Sequence, residues 1–336
     1  MNKRPIWNCR GRGPRASQLR VGDASPGLAG TVSRRRFSAM LLSAVGLPLV
    51  NDPAFAETLF PDGLHLYAPP SRQLSYPIYD ETVRRVLPEH GFQSQIALKE
   101  SVLRLVDNGV IDRGKFFEHY LQQGSHSEAL DHVLDRASNE PILLTRSNAT
   151  EYVNLLWPIG LATQMKANAS SPINGSSLNN FASTGGWSLG RADNGGAYFN
   201  KYPIVVLSKQ EEARVVRIAS STYRPCCNNS TFFQDCNHGS ALLGLLQLGA
   251  SQGLSDNQLY REALAFNSFW FGDYYVRTAL LFRVVKKIDW ADINPLVVLG
   301  YSYSAGGPWQ ENVAAVVESI PGLIPPVPGG GAGCGV

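Results

Sequence analysis

The sequence is missing most of the short signatures that fix a reaction class. Its 336 residues hold no H-E-x-x-H, no complete G-x-x-x-x-G-K-[ST] and no C-x-x-C-H. Zincin proteolysis, P-loop phosphoryl chemistry and covalent haem attachment therefore lose their simplest support. No G-x-G-x-x-G lies between a predicted strand and a helix, so the usual dinucleotide fingerprint is missing too. No repeat of solenoid length runs along the chain. The apolar run at residues 39–50 falls short of the roughly 20 residues that a spanning helix needs. No cluster of Lys and Arg occurs beyond residue 56, and the whole chain has only five cysteines.

The basic residues gather at the start. Residues 1–56 carry nine Lys and Arg against Asp23 and Asp52, a charge of +7. The total is +3, so residues 57–336 carry −4. A negative surface without a basic stripe excludes nucleic acid as an expected partner, because phosphate binding needs clustered cations. Ser33-Arg34-Arg35-Arg36-Phe37, the apolar run that follows and the small-x-small triplet Ala54-Phe55-Ala56 resemble a bacterial twin-arginine export signal in order and spacing. The resemblance implies the twin-arginine export machinery as a partner and a periplasmic or secreted destination. It also implies folding in the cytoplasm before export, where thiols stay reduced and can take up metal. Residues 1–32 fit neither signal nor fold and read as a mis-called start, with Val32 as the initiator. Three parts are expected: a signal region at 1–56, a helical globular domain at 57–319 and a Pro/Gly-rich tail at 320–336. No integral membrane span is expected once the signal is removed.

The fold class reads as mainly α, with an irregular Gly/Asn-rich insertion containing short extended segments. Apolar residues recur at three and four in 83–87, 96–106, 115–122 and 128–137. Four capping boxes stand ahead of periodic runs: Ser125/Glu128, Asn148/Glu151, Ser208/Glu211 and Ser255/Gln258. Helices are predicted at 209–221, about 237–252 and about 257–285, the first and last of them behind such a box. The last carries an aromatic stripe of Phe266, Phe269, Trp270, Phe271, Tyr274 and Tyr275, expected in the core. Residues 168–207 are rich in Gly, Ser and Asn. They predict loops and turns, with extended pieces near Trp187–Leu189 and Ile204–Leu207.

Chemistry concentrates in RPCCNNSTFFQDCNHG, residues 224–239. Cys226, Cys227, Cys236 and His238 are the donor types that hold zinc or copper. Adjacent cysteines depart from the usual C-x(2–4)-C spacing, and their convergence needs a turn, which Pro225 and Asn228-Asn229 can supply. If a helix starts near Asn237, Cys236 is its N-cap and His238 lies in its first turn. Free N–H groups and the helix dipole then favour a Cys236 thiolate, while neighbouring Asp235 opposes it. Cys236, with His238, is accordingly the candidate catalytic pair of a thiol enzyme. The Cys334 tail, GGGAGCGV, is similar to the thiol-carrying tails of some disulfide and mercuric reductases, a resemblance that covers the tail alone.

Three functions remain open on these residues: an exported metal-binding or redox-active protein; a cell-envelope hydrolase acting on a small molecule or envelope polymer, with Cys236 or a carboxylate pair; and a non-catalytic envelope protein whose cysteines form ordinary disulfides. Weaker candidates surround them. Asn179, Asn180, Ser183, Thr184, Trp187, Asn194 and Asn200 suit a carbohydrate groove. Glu151, Asp193 and Asp235 are carboxylates for glycoside cleavage. His119, His126 and His132 read as surface histidines, since six positions on a helix put His126 and His132 on different faces.

Overall fold

The computed structural model describes residues 76–123, 132–176, 178–182 and 189–326, all within one compact unit, Ser71–Val336. The export-signal region, Ser125, His126, Glu128, Ser183, Thr184, Trp187 and Cys334 lie outside the described residues. Helix α1 (Pro77–Val86) opens with proline in its first turn and Asp80 near its positive end, and closes on Arg84 and Arg85. This matches the helix dipole at both ends.

The next segment departs from the sequence expectation. Residues 96–106 do not form one helix: strand β1 (Phe92–Lys99) ends at Lys99, whose φ of 53° reverses the chain, and helix α2 (Ser101–Asp107) follows. β1 pairs antiparallel with β2 (Ser138–Leu144), Phe92 opposite Leu144 and Lys99 opposite Ser138, with irregular register about Ala97. The cause is tertiary. The side-chain amide of Gln252 accepts from Ala97 N–H at 3.0 Å and donates to Ala97 C=O at 2.8 Å, acting as a piece of a third strand. The buried Glu262 carboxylate accepts from Ser94 Oγ at 2.6 Å and Gln95 N–H at 2.8 Å. Helix α3 (Arg113–Gln123) lies between the strands, as its periodicity predicts. Residues 132–135, expected to be helical, form turns.

Helix α4 (Ala149–Ala162) is buried almost all round, with Leu155, Leu156 and Ile159 fully enclosed. Its predicted capping box does not form: Asn148 Oδ1 accepts from Thr145 N–H at 2.7 Å instead, and Nδ2 donates to Leu143 C=O at 3.0 Å. The short helix α5 (Leu178–Ala182) belongs to the Gly/Asn-rich region. Around it the expected extended piece at 204–207 is irregular, with only an isolated bridge between Thr163 and Tyr202. Helices α6 (Lys209–Ser221) and α8 (Asp256–Trp270) start on complete capping boxes, Ser208/Glu211 and Ser255/Gln258.

Between them runs α7 (Asn237–Ser251), buried from His238 to Ala250. Helices apolar on every side belong in the middle of a core, and α4 and α7 cross there backbone to backbone. A Cβ on Gly160 would stand 1.9 Å from Ser240 O, and one on Gly244 would stand 2.3 Å from Leu156 O. The predicted long helix 257–285 is broken. α8 stops at Phe271 (φ −129°, ψ 50°), α9 (Gly272–Leu281) starts anew and a π turn closes at Lys287. Gly272 sits where a Cβ would lie 2.9 Å from Leu87 Cδ1, so α1 packs into the break. The aromatic stripe is core as expected: Phe266, Trp270, Phe271 and Tyr275 are buried, and Phe269 and Tyr274 pack against them. Among the described residues no helix is long and apolar enough to cross a membrane.

Candidate metal centre

The loop from α6 to α7 carries the cysteines. It is closed at its base by two threonines: Thr231 N–H donates to Thr222 C=O at 2.9 Å, and Thr222 Oγ1 donates to Thr231 Oγ1 at 3.0 Å. Inside this closure Cys227 N–H reaches back to Arg224 C=O at 3.4 Å, a turn with Pro225 at its second position. That turn makes adjacent cysteines face one way. A second segment pins it from outside, where Gly306 N–H donates to Cys227 C=O at 3.0 Å and Gly307 N–H donates to Asn228 Oδ1 at 2.7 Å. Gly306 is required there, since a Cβ would meet Pro225 O at 2.8 Å.

Cys236 arrives from the other side as the N-cap of α7. Its Sγ accepts from Gly239 N–H at 3.3 Å, the capping position expected from the sequence. The three sulfurs converge. Cys226 Sγ lies 4.0 Å from Cys227 Sγ and 3.6 Å from Cys236 Sγ, and all three lie within 4.8 Å of one another. All three cysteines are free and partly exposed. Four thiolates around one zinc at about 2.3 Å are separated by about 3.8 Å, so these sulfurs stand at the spacing of a shared ion. The cluster could hold a metal ion. Among the described residues no sulfur pair is at disulfide distance, so cross-links among these three are not how the loop is held.

What holds it is Arg224. The side chain is wholly buried. Its Nε donates to Cys236 Sγ at 3.1 Å, Nη1 to Asn229 C=O at 2.9 Å and Nη2 to Phe233 C=O at 3.4 Å, and Nη2 also pairs with the Asp235 carboxylate. Asn229 Nδ2 donates to the other Asp235 oxygen at 2.5 Å. Gly239 makes room for the guanidinium: a Cβ there would fall 2.5 Å from Nη2. A single arginine before Pro225 carries no local sign of burial in the sequence, so Arg224 is a functional residue that the sequence alone does not mark. Asp235 opposes the thiolate as expected, since negative charge on Cys236 raises its carboxyl, and the carboxylate turns onto the guanidinium and Asn229.

The electrostatics separate the three thiols. Cys236 is held well below the usual thiol range, first by hydrogen bonds from Cys226 and Cys227 and then by the Arg224 charge, against burial. Cys226 is pushed well up by its bonds to Cys227 and Cys236 and by burial. Cys227 is pulled down by the bond from Cys226, but its interaction with Cys236 and its burial outweigh that and raise it. Burial raises Asp235 and is only partly offset by Arg224. The contacts thus favour negative charge on Cys236 over the other two sulfurs, and an entering cation would displace the protons that the cluster holds.

His238 is in the first turn of α7 but is not among the converging donors. It is buried, with its ring 4.5 Å from Phe271 and 5.8 Å from Trp270, and burial lowers its pKa to about 4. Of the other candidates, Asn194 Nδ2 donates to Asn179 C=O at 3.2 Å, so these two stand together. Asn200 accepts from Met165 N–H at 2.7 Å, and Asn194 caps its own turn through Gly196 N–H at 2.7 Å. Glu151 is buried in α4, and Asp193 is exposed. His119 lies edge-on to Tyr120 on α3, and His132 is in a turn. Gly249-Ala250-Ser251-Gln252-Gly253 matches the pattern G-x-S-x-G. Ser251 ends α7 and donates to Leu248 C=O at 2.9 Å, whereas a nucleophile elbow needs a strand leading into a helix.

Comparison with protein-family models, with curated proteins and with solved structures finds no match to this chain.

Proposed function

We propose that this chain binds one thiophilic d10 cation, zinc(II) or copper(I), through Cys226, Cys227 and Cys236, and that it does so as an exported bacterial protein. The observation that carries the reading is the spacing of three free sulfurs, 3.6 Å and 4.0 Å across the measured pairs, in a loop built by a turn, a helix cap and a buried arginine. Thiolates select soft and borderline ions. Copper(I) is satisfied by three sulfurs, whereas zinc takes a fourth ligand from solvent or from a substrate. The positive charge of Arg224 offsets part of the negative charge that three thiolates bring to either ion.

The export half of the proposal rests on Arg34, Arg35, the apolar run and Ala54-Phe55-Ala56. That route suits a metal protein, because the site would be assembled before the chain meets an oxidising compartment. Titration of reduced, metal-free protein with zinc and with copper(I), each against a chromophoric chelator, tests the binding. One equivalent should bind, and Cys226→Ser, Cys227→Ser and Cys236→Ser should each weaken it at least 100-fold. Wild-type affinity no better than that of the Cys236→Ser variant contradicts the reading.

A further inference from the structure

We infer that Cys236 and Cys226 are a peroxide-responsive pair, closing to a disulfide that withdraws two of the three ligands from the site. The pairing rests on contacts that differ among the three sulfurs. Cys236 Sγ receives two N–H donors from different directions, Arg224 Nε at 3.1 Å and Gly239 N at 3.3 Å. Such donors stabilise negative charge on sulfur, and the charged form is the nucleophile. Cys226 packs against the core and its sulfur hydrogen-bonds the other two sulfurs, whereas Cys227 Sγ lies 3.7 Å from the Asp235 carboxylate, to which it is turned as a donor. Cys226 Sγ stands 3.6 Å from Cys236 Sγ, in direct contact. Closing that gap to a bond of about 2.05 Å asks for about 1.5 Å of side-chain movement. A Cys226–Cys227 bond would strain the peptide between adjacent residues. The three cysteines are half-buried beside exposed Asn228 and Gly307, the side from which a small oxidant would enter.

The chemistry needs one hydroperoxide, R–O–OH. Cys236 sulfur attacks the terminal oxygen, an S–O bond forms and the O–O bond breaks. The alkoxide leaves and is protonated to the alcohol, and Cys236 becomes a sulfenic acid. Cys226 sulfur then attacks Cys236 sulfur, the S–S bond forms and the S–O bond breaks. The departing hydroxide takes the Cys226 proton and leaves as water. Two thiols lose two electrons, and the peroxide gains them. A single remaining thiol, Cys227, cannot hold the ion. That last consequence rests on the metal reading above, whereas the pairing itself does not.

The test uses the full reduced chain, with and without one equivalent of zinc, exposed to hydrogen peroxide, alkylated and mapped by mass spectrometry. The expected product is a Cys226–Cys236 disulfide with Cys227 alkylated, and zinc-loaded protein should release its zinc to a dye in step with that bond. In Cys226→Ser the expected product is a Cys236 sulfenic acid captured by dimedone. A disulfide from Cys227 to either neighbour, first capture at Cys226, or no oxidation of any of the three overturns the proposal. Mapping of the wild-type chain decides even if the variant misfolds. If zinc fails to bind but the Cys226–Cys236 bond forms, only the metal reading falls. If zinc binds and the bond does not form, only the pairing falls.

Discussion

Arg224 Nε donates to Cys236 Sγ at 3.1 Å from a side chain with no solvent exposure, and the same guanidinium pairs with Asp235. One buried cation therefore fixes both the thiolate and the loop that carries the other two sulfurs. Arg224→Met should leave Asp235 without its charge partner and cost about 3–5 kcal/mol of stability. Arg224→Lys should recover little of it, since an ammonium cannot span the four acceptors that the planar fork reaches. Urea unfolding checks this, and a loss under 1 kcal/mol for Arg224→Met would show that the loop stands without it.

Glycine positions give a second prediction. Ala is favoured over Gly in helices by about 1 kcal/mol, yet Gly244→Ala should destabilise by about 1–3 kcal/mol or more, because its Cβ meets Leu156 O at 2.3 Å. Gly253→Ala meets nothing within 4 Å, but its φ of 82° is strained for alanine. Its smaller loss should leave the packing of α4 on α7 unchanged. Thermal unfolding of the two variants, with near-ultraviolet circular dichroism to report the packing around Trp157, separates the effects.

His238 sets a pH dependence. Burial lowers its folded pKa to about 4 from 6.5, so between those values the unfolded chain binds a proton that the folded chain does not. Stability from this group is complete above about pH 6.5 and is lost as the pH falls toward 4, by on the order of 3 kcal/mol. Urea titrations of metal-free protein at pH 7 and pH 4.5 should show the loss, and His238→Gln should show much less of it. Equal pH slopes for the two proteins would contradict the burial.

Gln252 offers a test of the sheet. Removing its amide in Gln252→Ala leaves Ala97 N–H and C=O without their partner. Hydrogen exchange at the Ala97 amide should quicken markedly, with a stability loss of about 1–3 kcal/mol. Unchanged protection would mean that the strand is held by β2 alone.

The helical class was legible because its signals are local. Ser208/Glu211 and Ser255/Gln258 are satisfied within four residues, and the start of α7 at Asn237 follows from the small, capping character of its first turn. The failures are tertiary. The run at 96–106 has helical spacing, but Gln252 and Glu262, more than 150 residues away, complete β1. The break at Phe271 is where Leu87, just past the end of α1, packs against Gly272. In the site, the composition of 224–239 marked the sulfurs, and Pro225 marked the turn. Neither the burial of Arg224 nor the clasp from Gly306 and Gly307, some eighty residues on, has any local trace. His238 is near the sulfurs in sequence, but the first turn of α7 directs its ring to Phe271 and Trp270 instead.

X-ray absorption at the metal edge of protein loaded with one equivalent of zinc, and separately of copper(I), probes the three-sulfur site most directly. Three sulfur scatterers near 2.3 Å, falling to two in Cys226→Ser, are the expected result. A first shell of nitrogen and oxygen alone, or one unchanged by any of the three cysteine substitutions, would mean that these thiols hold no ion.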